Sequence, residues 1–133
     1  MPCRSIPRSA MPEVQKLLNM NKQLITTEMM RLIEERVGTL VDCRFYFDNI
    51  AWCFSSTHKE RPRVIEDILA TDYVQYGNNE TITVAFDGNP IYTELNDPYI
   101  GKDILDGQLR EMLWEHGYYM ERGNAWNFSL YKV

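Results

Sequence analysis

The chain has 133 residues, 44% of them hydrophobic and 25% charged, which is the size and composition of one soluble globular domain. It contains no run near the ~18 apolar residues of a spanning helix and no signal-like apolar stretch at the N-terminus, so neither a membrane nor an export role is expected. The net charge of −5 is unevenly spread, with ten basic and seven acidic residues over 1–63 but two and twelve over 64–121. Phosphate binding draws on clustered Lys and Arg. The main body offers no such stripe, so direct nucleic-acid binding is not expected.

Residues 1–19 read as a leader, flexible or partly helical, ahead of one α+β domain over 20–133. Met1, Met11 and Met20 are alternative starts. Val14, Leu17 and Leu18 mark a short helix from Pro12 to about Asn21. A second helix follows, with Thr26 or Thr27 as N-cap, a stripe of Met29, Met30, Ile33 and Val37, and Gly38 as its left-handed stop. Val41, Cys43, Phe45 and Phe47 alternate with polar residues from Thr39 to Asp48, the period of a half-buried strand. Asp48-Asn49 is a tight turn, and Ile50 to Ser55 returns as the second strand of a hairpin.

Ser55 to Arg63 reads as a polar loop. Pro62 opens a helix whose apolar face is Val64, Ile65, Ile68 and Leu69. Asp72 to Tyr76 reads equally as helix or strand. After a turn at Gly77-Asn78-Asn79, Thr81 to Phe86 is a β-branched strand. Asp87-Gly88-Asn89-Pro90 turns the chain, and Ile91 to Leu95 is the return strand. The last helix carries Ile104, Leu105, Leu109, Met112 and Leu113 on one face, with Asp106 as a candidate N-cap. His116 and Gly117 end it. Tyr118 to Glu121 and Ala125 to Val133 form a final hairpin around Arg122-Gly123-Asn124. Its C-terminal strand carries Lys132 as its only charge and is a candidate sheet edge for pairing with a second copy.

The expected fold is therefore α+β: a mostly antiparallel sheet of about six strands joined by hairpins, with three to four helices on one face. Gly38, Gly77 and Gly117 recur near a 40-residue spacing and raise the alternative of repeated α-β-β units.

Catalytic signals are weak. Cys53, His58 and Asp48 are close in sequence, as a nucleophile, base and orienting acid would be, but His58 belongs to a charged, solvated stretch. No nucleophile elbow, phosphate loop or metal signature occurs, and Gly101-Lys102-Asp103 lacks the rest of a phosphate-binding pattern. Cys3, Cys43 and Cys53 are odd in number and lack metal spacing. Cys43 and Cys53 fit small buried hydrophobes in strands, and a reduced, cytoplasmic setting fits best. No catalytic residue, cofactor or metal is expected.

Two features suggest recognition instead. Tyr46, Tyr92, Tyr119 and Tyr131 fall on the sheet face opposite the core if the registers hold. Asp97, Asp103, Asp106, Glu111 and Glu115 surround the last helix and its entry, where focused negative potential attracts a basic partner. The expected function is a non-enzymatic binding module that engages a basic protein surface through these acids with Tyr92 and Tyr119. An inhibitor occupying a nucleic-acid-binding groove is one form of it. The alternative is a ligand-binding protein or enzyme with a pocket near the first hairpin, beside Cys43, Trp52, Cys53 and His58.

Overall fold

In a computed structural model of the chain, residues 11–96 and 102–133 are described, with side chains from Asn21 onward and, in the last helix, from Ile104. The first element is a single helix, α1 (Met11–Val37), where the sequence suggests two. Nothing between Asn21 and Thr26 breaks it, since that stretch lacks both Gly and Pro. Thr26 is consequently an interior residue with its hydroxyl fully buried, not an N-cap. Ile25, Met29, Leu32 and Ile33 repeat at helical spacing and form the buried stripe. Gly38 stops the helix at φ 82° and donates its N–H to Glu34 O at 2.8 Å.

The hairpin β1 (Arg44–Phe47) and β2 (Ile50–Ser55) stands as expected. Asp48 and Asn49 both take positive φ, at 52° and 62°, the geometry that matches a two-residue turn to strand twist. β1 is shorter than its alternating pattern. Asp42 has φ 72°, and the carbonyls of Thr39 and Val41 accept from the Asn89 side chain, so the regular ladder with β4 and β2 begins at Arg44, with Asp42 and Cys43 bonded irregularly to Phe54 of β2.

Two segments differ in kind from the sequence expectation. The expected loop and helix over Ser55–Ala70 are largely a long edge strand, β3 (His58–Glu66), paired with β2 through a turn at Ser56-Thr57. Its charges and Pro62 suit a strand whose outer edge faces water, and they mask its period. Ile65 and Ile68, taken for a helix face, instead pack on the second core cluster. The ambiguous stretch Asp72–Tyr76 is neither helix nor strand beyond its first residue: a 3-10 helix, Ala70–Asp72, runs into a series of turns.

The expected return strand Ile91–Leu95 is a helix, α2 (Ile91–Asn96). Asn89 caps it by accepting from Ile91 N–H at 2.9 Å, and Pro90 precedes its first turn. The last helix, α3 (Lys102–Glu115), buries Leu105, Leu109 and Leu113. Ile104 is exposed, and Asp106 lies inside the helix instead of capping it. Gly117, at φ 84°, releases the chain into β5 (Tyr118–Asn124). β5 runs three residues past its expected end at Glu121, through the expected turn Arg122-Gly123-Asn124, and the chain turns instead at Ala125-Trp126 before β6 (Asn127–Lys132).

With β4 (Thr83–Ala85), the strands make one six-stranded antiparallel sheet in the order β3-β2-β1-β4-β6-β5, and with three helices the fold is α+β. β6 lies inside the sheet, so the C-terminal strand is not an edge; the edges are β3 and β5. The α-β-β repeat fails in its middle unit, where a strand precedes Gly77 and a helix follows β4.

Alternate strand residues divide the interior. Phe45, Phe47, Phe54, Val84, Phe128, Leu130 and Met120 join the buried residues of all three helices in the main core. Tyr46, Ala51 and Ala85 form a second cluster with Ala70 and Val74, from the segment between β3 and β4. Both faces of β4 are thus covered, and residues 81–86 are buried without a break. Among the described residues no helix is long and apolar enough to cross a membrane.

A candidate partner-binding groove between the first and last helices

Along one margin of its buried stripe, α1 presents Leu24, Glu28 and Arg31 together with Leu32 of the stripe itself, spaced at four, seven and eight residues. Facing them, α3 presents Gln108, Glu111, Met112 and Glu115 at equivalent spacing, with His116 just beyond its end. These side chains line an open groove of about 590 Å³. Leu32 is buried and Met112 half-buried, whereas Leu24 is 64% exposed at one wall. Leu24 is a large apolar side chain left in water next to a concave surface.

The rim is mostly negative. Glu28 is held by Arg31 at 3.1 Å from Nε, and Arg31 also reaches Glu35 at 2.6 Å. The Arg31 hydrogen bond, followed by the charges of Arg31 and His116, lowers the Glu28 carboxyl below its ordinary range despite opposing desolvation. Its two carboxylate partners in turn hold Arg31 firmly protonated. The single guanidinium on the rim is therefore already neutralised. Among the described residues, Glu111 and Glu115 take part in no ion pair.

The structure disperses the other residues expected to bind a partner. Asp106 is on a different side of α3 and accepts from Arg110 Nε at 2.7 Å. Asp97 lies outside the described residues, and the Asp103 side chain is likewise not described. Tyr92 sits on α2 rather than on the sheet, where it lines a separate depression with Asp87 and Trp126. Tyr119 is on β5, stacked against Tyr131. Tyr46 is buried in the second cluster and presents no surface. Leu24 and Arg31 escape sequence reasoning because their helix is first read as two. The signal that finds them is a single unbroken period through Thr26.

The residues of the alternative pocket are also separated. Cys43 is fully buried, and desolvation, aided by the Asp42 charge, pushes its thiol up to about 12. Desolvation raises the Cys53 thiol as well, against the opposing influence of Arg44 and Arg63. His58 is exposed, with Nδ1 3.1 Å from Thr57 Oγ1, and is hydrogen-bonded to neither thiol. Trp52 packs edge-to-face on Phe47 in the main core, with 5.0 Å between ring centroids. The space enclosed between Tyr46–Asn49 and Ile68–Ala70 is about 10 Å³, close to that of one water. Among the described residues no three His, Cys, Asp or Glu side chains gather as metal ligands.

No family model, no curated protein and no solved structure matches this chain.

Proposed function

We propose that the protein is a non-enzymatic binding module that seats a basic, amphipathic segment of a partner protein in the α1–α3 groove. The observation that carries this reading is the pair Glu111 and Glu115, carboxylates that form no ion pair among the described residues, set beside Leu24, Leu32 and Met112. An apolar floor takes up the partner's hydrophobic side chains, while an acidic rim favours Lys and Arg around them and speeds encounter. An inhibitor that covers a nucleic-acid-binding surface is one concrete form, because such surfaces are basic and the groove presents the opposite charge.

The experiment is affinity capture from the native host's lysate at low and high salt, with the wild-type chain and the double variant Glu111→Lys, Glu115→Lys. The reading expects a basic partner held at low salt, released at high salt and lost by the variant. Equal capture by both proteins at both salt concentrations removes its electrostatic basis.

A further inference from the structure

A second site lies on the sheet face turned away from the main core. Tyr118 and Met120 point into that core, so Tyr119 and Glu121 project from the opposite side of β5. Tyr119 is the cross-strand partner of Tyr131, and the two rings stack with centroids 5.8 Å apart and planes 30° from parallel. Tyr76, Glu121, Arg122, Gly123 and Tyr131 line a depression of about 270 Å³ there.

Three features make this more than a surface dent. Tyr76 is 64% exposed yet held at φ 66°, a left-handed conformation that costs a bulky residue roughly 1–2 kcal/mol. Its carbonyl accepts from Ser129 Oγ at 3.3 Å, which fixes the strained residue to β6. Gly123 lets the neighbouring backbone come close: a Cβ there would lie 2.0 Å from Asn127 Oδ1 and 3.1 Å from Gln75 O.

The chemistry of the depression is one-sided. The Arg122 guanidinium is engaged elsewhere, donating to Leu95 O at 3.3 Å and to Asn96 Oδ1 and Ala125 O at 2.9 Å. What remains is aromatic ring surface and the exposed Glu121 carboxylate. Such a set complements a cation. The volume falls short of the roughly 300–1,000 Å³ of sites for drug-sized ligands, so it suits the end of a side chain or a headgroup. A plain ammonium is strongly hydrated and gains little by leaving water, whereas an alkylated one carries diffuse charge that ring faces attract. We propose that the Tyr76–Glu121–Tyr131 depression binds an alkylated ammonium group, carried by a methylated lysine or by choline.

The test is an amide chemical-shift titration of the full chain with choline, with choline's uncharged carbon isostere, and with one peptide bearing trimethylated or unmodified lysine. Saturable shifts at Tyr76, Glu121 and Gly123 are expected with choline or the trimethylated peptide. The tighter of the two identifies the source. The isostere and the unmodified peptide bind weaker by roughly threefold or more. Glu121→Gln and Tyr131→Leu weaken binding, and Tyr131→Phe retains it. Both positions are at the surface, and the free variants' spectra report that they are folded. Equal binding of the uncharged isostere, or no saturable shift with either alkylated cation, overturns the proposal.

Discussion

Lys22 Nζ donates to Asp48 Oδ1 at 2.8 Å, across 26 residues of sequence, and so ties α1 to the turn of the first hairpin. Near its other end α1 is tied to α2, where Arg36 donates to the buried Glu94. The two links fix the helix that forms one wall of the groove. Both Lys22 and Asp48 side chains are about five-sixths buried, at 17% and 16% exposure, so the link is shielded from solvent. Lys22→Met keeps the aliphatic stem and removes the charge. It is expected to cost about 1–2 kcal/mol by removing a charge-assisted hydrogen bond that is largely shielded from water. A denaturant midpoint that does not move contradicts that role.

Two glycines are expected to answer alanine in opposite ways. Gly123→Ala drives a methyl group into Asn127 and the Gln75 carbonyl, and such overpacking costs about 1–3 kcal/mol. Gly107 is inside α3, and a Cβ there meets nothing within 4 Å. Gly107→Ala is therefore expected to stabilise by about 1 kcal/mol through helix propensity. Thermal unfolding of the two variants reads both signs in one experiment.

Alkaline pH is expected to destabilise the fold through Cys43. Its thiol is raised from 9.0 to about 12 in the native state, so between those values the unfolded chain has lost a proton that the folded chain keeps. Stability is then fully present below pH 9 and falls as pH rises towards 12, by about 1.4 kcal/mol per pH unit from this group. Cys43→Ala lowers stability at neutral pH by opening a small cavity but makes the alkaline slope shallower. Equal slopes in the two proteins contradict the assignment.

Much of the fold is legible in the sequence where local chemistry and tertiary context agree. Gly38 and Gly117 stop helices, Asp48-Asn49 turns the first hairpin, and Leu105, Leu109 and Leu113 form one buried face. The failures have physical causes. β3 is an edge strand in which only Pro62 and Ile65 are even partly buried, so it carries no period-two signal. Ile91 and Leu95 fit either a strand or one helical turn, and the Asn89 cap decides between them. Thr26 resembles a cap but is enclosed by the core, which overrides its local preference.

The site is less legible than the fold. The acidic run is visible in the sequence, but helical geometry turns Glu111 and Glu115 toward α1 and leaves Asp106 with Arg110. The facing wall comes from residues about 80 positions earlier, and no local pattern announces that pairing.

The most direct test of the groove is an amide chemical-shift titration with a helical peptide of Leu and Lys at amphipathic spacing, compared with its Leu and Glu counterpart. The account predicts saturable shifts at Leu24, Glu28, Leu32, Glu111, Met112 and Glu115 with the basic peptide, weakened by salt, and none with the acidic one. Shifts confined to other surfaces, or equal responses to the two peptides, contradict the claim that this groove recognises a basic amphipathic segment.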